Sequence, residues 1–179
     1  RLGIDRPSGP PFTINSAVDT LMKREFDTYR ERGEPHPYMV HAGIPAIPAQ
    51  HPMLDEWRQN FKGVQFLHRD TNFIVTGAID DLWLGDDGRH LVADYKATAK
   101  NAEVSLDAPW QIAYKRQAEI YQWLLRRNGL DVSPTAWFVY CNGNLHADMF
   151  DERVEFKVKL LSYDGDDSWI DGALGSAHE

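Results

Sequence analysis

Asp80, Asp94 and Lys96 are the residues whose types and spacing could do chemistry. Asp94-Tyr95-Lys96 closes a run of strand-like alternation, so the acid and the lysine emerge on one face. Asp80 ends Gly77-Ala-Ile-Asp80 in the preceding run, and a hairpin between the two runs would bring it alongside. Two carboxylates and an ammonium in one place suit phosphodiester hydrolysis. The carboxylates can hold a hard divalent cation, which neutralises charge developing on the phosphoryl and leaving oxygens. The lysine would orient or activate the water, or stabilise the transition state. Either motif alone is usually a turn residue or a surface ion pair; their joint placement at the ends of neighbouring strands carries the weight.

The surrounding pattern supplies the elements this placement needs. Asn15 is an expected N-cap for a helix to about Arg32, with Val18, Leu21, Met22, Phe26 and Tyr29 at helical spacing and Gly33-Glu34-Pro35 as its stop. Residues 33–50, with four prolines and two glycines, read as an irregular loop, followed by a short amphipathic helix over 52–60. Strands are expected over 64–69, 73–84 and 90–96, neighbours in an antiparallel meander turned at Asp70-Thr-Asn72 and Gly85-Asp-Asp-Gly88. A long helix over 109–128 carries Trp110, Ala113, Tyr114, Gln117, Tyr121 and Leu124 on one apolar side and stops at Gly129. Further strands over 135–141 and 154–160 and a terminal helix over 168–177 complete the chain. The order α-β-β-β-α-β predicts an α/β (α+β) fold with a central mixed sheet flanked by helices.

These motifs resemble the PD-(D/E)XK nuclease superfamily, in which an Asp at one strand end and a D/E-x-K on its neighbour bind Mg²⁺ or Mn²⁺. Asp80 matches the first position, preceded by Ile79 in place of Pro, and Asp94 with Lys96 matches the second. The resemblance covers about residues 15–141 and implies a restriction-endonuclease-like core, DNA as substrate, and the Tyr95 carbonyl as a further metal ligand. Gln117 and Tyr121 match the Q-x-x-x-Y element of the RecB-type branch, where that helix lies beside the active site and nucleic acid. They equally fit a hydrogen-bonded core pair. The resemblance also implies an acid on the first helix. Glu25, set among Val18, Met22 and Tyr29, is the first choice, because an unpaired inward carboxylate would cost several kcal/mol unless it met a metal or a basic partner. In a competing alignment Asn15-Ser-Ala-Val-Asp19 stands where RecB-type relatives carry Gly-x-x-x-His, making Asp19 the ligand; otherwise Asp19 pairs with Lys23 one turn on.

Composition bounds the rest. The chain has 179 residues, 42% of them hydrophobic, enough to bury one ordinary core, so residues 15–179 read as a single domain. Residues 1–14, beginning at Arg1 without Met and running through Arg6-Pro-Ser-Gly-Pro-Pro11, read as an arm truncated from a longer chain. No apolar run approaches a bilayer span and no secretory pattern is present, so the expected setting is the cytoplasm, with no membrane partner. Cys141 is the only cysteine, which excludes an intrachain disulfide and the four-cysteine iron–sulfur cluster of some relatives. Seven scattered histidines make no zinc pattern; His68, just before the first turn, reads as structural. No phosphate loop, dinucleotide fingerprint or nucleophile elbow occurs. The net charge of −8 argues mildly against nonspecific nucleic-acid binding, although Lys115, Arg116, Arg126 and Arg127 suggest either a phosphate track or a solvated helix face. The expected function is a metal-dependent deoxyribonuclease in repair, recombination or defence, with a helicase or similar protein as partner. The alternative is a noncatalytic nucleic-acid-binding or assembly module on the same fold.

Overall fold

The computed structural model describes residues 13–178. Helix α1 (Thr13–Arg32) begins two residues before the expected cap at Asn15, inside what reads as the arm; residues 1–12 lie outside the described part. Its inward stripe is Met22, Phe26 and Arg30, at four-residue steps. The next segment is more ordered than its prolines suggest. It holds a short helix, α2 (Pro37–His41), and an edge strand, β1 (Ala46–Pro48). Buried His36 starts α2, its Nδ1 accepting from the Tyr38 N–H at 3.1 Å while its ring stacks on Phe26 at 4.1 Å. Helix α3 (Leu54–Trp57) is shorter than expected.

The main departure concerns the alternating run 73–84. It is two strands in two sheets: β3 (Phe73–Gly77) pairs with β2 (Val64–His68) in a separate hairpin, whereas β4 (Asp81–Gly85) joins the central sheet. The expected three-strand meander is therefore corrected to a hairpin plus a sheet pair. The physical reason lies at Ala78-Ile79-Asp80. There the chain leaves a half-solvated ribbon for a strand whose first three residues are buried, and its backbone groups pair elsewhere, the Ile79 N–H with the Trp57 carbonyl and the Asp80 carbonyl with Arg58 Nε.

The central sheet has the order β1-β4-β5-β6-β7, with β5 (His90–Thr98), β6 (Thr135–Gly143) and β7 (Phe156–Asp164). It is mixed: β5 and β6 run parallel and the other neighbours antiparallel. The parallel step needs a crossover, supplied by a 3₁₀ turn (Pro109–Gln111) leading into α4 (Ile112–Arg127). Alternation sends Trp83, Ala93, Tyr95, Val139 and Cys141 toward α1, and Leu82, Val92, Phe138 and Tyr140 toward α4. The expected architecture, a mixed sheet flanked by helices, is thus present, with core on both faces. Helix α5 (Ile170–His178) closes the chain.

Candidate active site

Strand register sets the first two acids. Asp81 lies opposite Ala93, so Asp80, one residue outside β4, stands level with Asp94. Asp80 Oδ2 accepts from the Tyr95 N–H at 2.9 Å. Both backbone groups of a strand residue face the same neighbour, so the Tyr95 carbonyl also faces the space where β4 has ended. Asp94 is buried, and its Oδ2 lies 2.5 Å from Lys96 Nζ yet accepts no hydrogen bond of good geometry. Lys96 donates to Gln117 Oε1 at 3.1 Å and sits 4.4 Å above the Tyr114 ring. Gln117 in turn donates to the Tyr121 hydroxyl at 2.7 Å. Helix α4 thus holds the lysine through two side chains one turn apart.

The two motifs touch. A Cβ on Gly77 would lie 2.7 Å from Tyr121 Cε1 and 3.2 Å from Leu124 Cδ1, inside van der Waals contact. Glycine stands there because the tyrosine ring packs on its backbone.

A third acid, Asp81, is not legible in the sequence as part of this region. It is fully buried and accepts from Arg30, from Arg58 at 2.7 Å, from the Trp83 indole at 3.1 Å and from the Tyr95 hydroxyl at 2.7 Å. Arg58 also pairs with Asp27 at 2.9 Å. Adjacent acids therefore divide: Asp80 faces the cluster, and Asp81 anchors the chain break to α1 and α3. The available signal was Arg30, a basic residue on the stripe of Met22 and Phe26, which required a buried acid.

On α1 the expectation for Glu25 needs correction. It is exposed, off the inward stripe, and pairs with His36 Nε2 at 3.1 Å, outside the cluster. Helical rotation is the reason: the stripe runs through Met22, Phe26 and Arg30, leaving Glu25 at its edge. Asp19 is the α1 acid that approaches. Its Oδ2 accepts from Lys23 at 2.9 Å, and the same ammonium reaches Asp80 Oδ1 at 3.4 Å.

Electrostatics matches this crowding. Burial, then the neighbouring Asp80 charge, pushes the Asp94 carboxyl up to about 7 against the pull of Lys96. Burial also raises Asp80, opposed by Lys23 and the Tyr95 amide. Among the described residues no three His, Cys, Asp or Glu side chains gather as a ready ligand cage. What converges is two carboxylates, one of them ion-paired to Lys96, beside a backbone carbonyl. Such a set fits a hard cation that keeps several waters, as Mg²⁺ does. It does not fit a soft or tetrahedral site.

The other flagged residues lie elsewhere. Arg126 pairs with Asp167, Arg127 with Asp171 at 2.6 Å, Arg116 covers Trp169 and Lys115 covers Tyr163. This row connects α4 to β7 and the C-terminal segment. His68 bonds Thr71 at 2.9 Å and approaches Asp171, a structural position.

Comparison with known proteins gives a consistent result. The model of the PD-(D/E)XK nuclease superfamily matches residues 7–166. No curated protein matches the chain.

Proposed function

This chain belongs to the PD-(D/E)XK nuclease superfamily, and from that premise we propose that it is a Mg²⁺- or Mn²⁺-dependent deoxyribonuclease of RecB type. The observation that carries the reading is the meeting of Asp80, Asp94 and Lys96, with Asp94 buried and ion-paired to the lysine. Asp80, Asp94 and the Tyr95 carbonyl would hold the cation, and Asp19 is the first-helix acid nearest to joining them. A divalent ion held by these residues would supply positive charge at the phosphoryl centre and would make a bound water more acidic.

The side chains do the positioning. Lys96, fixed by Gln117 and the Tyr114 ring, orients the attacking water and meets negative charge on the phosphoryl oxygens. Tyr121 limits the motion of Gln117, so the ammonium is aimed before substrate arrives. DNA as substrate, a repair, recombination or defence setting, and a helicase-type partner are drawn from the resemblance, and a cytoplasmic setting from the single cysteine and the lack of a secretory pattern. One observation favours a second reading: Lys23 already compensates both Asp19 and Asp80, as it would in a noncatalytic nucleic-acid-binding module.

End-labelled single- and double-stranded DNA, incubated with wild type and Lys96→Ala in Mg²⁺, Mn²⁺ or EDTA, separates the two. Cutting that needs metal and Lys96 supports the nuclease, and its product ladder tells exonuclease from endonuclease. DNA binding with no cutting under any metal favours the module.

A further inference from the structure

The apolar side of α4 and of the 3₁₀ turn that leads into it is only half used by the core. Tyr121 and Leu124 are buried at its C-terminal end, but Trp110 is 53% exposed, Ala113 is exposed and Tyr114 is partly so. This open half adjoins the reactive lysine. Lys96 Nζ sits 4.4 Å from the Tyr114 ring centre, Tyr114 meets Trp110 edge to face at 5.4 Å, and Lys100 Nζ sits 4.9 Å from the Trp110 ring centre. Cation and ring therefore alternate outward from the site.

The backbone beside the array is hydrogen-bonded on both sides. Buried Gln111, next to Trp110, accepts from the Ala108 N–H at 2.8 Å and donates to the Ser105 carbonyl and to the Tyr140 hydroxyl at 3.2 Å. Asn142 on β6 bonds both the N–H and the carbonyl of Lys100, at 2.8 and 3.0 Å. An exposed indole next to a hydrogen-bonded turn, beside lysines, has the character of a base-stacking platform, since every base offers a π face and phosphates follow at each step. A paired base inside a duplex has no free face to offer.

We propose that Trp110 and Tyr114 form a subsite that stacks an unpaired nucleobase beside the cleavage site, with Lys100 reaching the flanking phosphate. The subsite selects single-stranded DNA, or the unpaired end of a duplex, and the assignment of a cleavage site beside it rests on the nuclease reading.

The test is fluorescence anisotropy in EDTA with a labelled oligodeoxythymidylate, an abasic oligonucleotide of equal length and a blunt linear duplex. Trp110→Ala should weaken oligothymidylate binding by roughly tenfold, on the scale of one base–aromatic stack, while Trp110→Phe retains most of it. On the abasic strand and the blunt duplex, wild type and Trp110→Ala should bind alike. Equal binding of oligothymidylate by wild type and Trp110→Ala, equal loss on the abasic strand, or no binding by wild type overturns the subsite. Cleavage without stacking dependence sinks this inference alone; stacking without metal-dependent cleavage sinks the nuclease reading alone.

Discussion

At the residue scale the site is a balance of charges in little water. Lys23 stands between Asp19 and Asp80, where it competes with any cation that those carboxylates would bind. Lys23→Ala should tighten Mn²⁺ binding by about an order of magnitude in calorimetric titration, the scale of one charge interaction in partly screened surroundings. Unchanged or weaker binding would make Lys23 a support of the site. Asp94 gives a pH signature. Its folded value, about 7, lies above the ordinary 3.8, so its contribution to stability is complete below about 4 and is lost as pH rises through 7. In EDTA the denaturation midpoint should accordingly fall between about pH 4 and 7 and level off above that, and Asp94→Asn should remove that fall. His36 works in the other direction. Burial lowers its value, with Glu25 opposing, so its share of stability fades as pH drops below about 6.5.

At the element scale, α4 positions the site through contacts that tolerate little change. Gly77→Ala forces Tyr121 and Leu124 away from β3, an overpacking expected to cost about 1–3 kcal/mol in urea denaturation. Tyr121→Phe is gentler: it keeps the ring but leaves Gln117 without its acceptor, a loss of about 1 kcal/mol. Because Gln117 also holds Lys96, this variant should lower kcat more than it changes KM. An equal effect on both would show that the hydroxyl serves binding or packing alone.

At the scale of the whole molecule, the Asp81 network joins α1, α3, β4 and β5 beneath the site. Arg58→Met breaks two of its ion pairs and leaves Asp81 with Arg30 as its remaining guanidinium. Breaking a buried pair from one side costs about 3–5 kcal/mol, so thermal unfolding of this variant should drop well below wild type. A loss under 1 kcal/mol would mean that Arg30 alone suffices. Glu119 ties down the other end of the molecule, accepting from Tyr163 at 2.5 Å and from the Trp169 indole at 2.7 Å.

The sequence alone determined the features that depend on local spacing: the helical period of α1 and α4, the strand of Asp94 and Lys96, and the one-turn step from Gln117 to Tyr121. Each follows from backbone periodicity, which neighbours in the chain dictate. The pairing of Asp19 with Lys23 was legible for the same reason. Only the tertiary structure decided which α1 acid faces the site, since a small rotation moves Glu25 to solvent and leaves Asp19 beside Asp80. It alone divided the run 73–84 between two sheets, because alternation reads the same on either side of a break whose backbone partners, Trp57 and Arg58, lie far back in the chain. The open half of the α4 face belongs to the same class. Helical spacing marks Trp110 and Tyr114 as apolar, but only packing determines whether anything covers them.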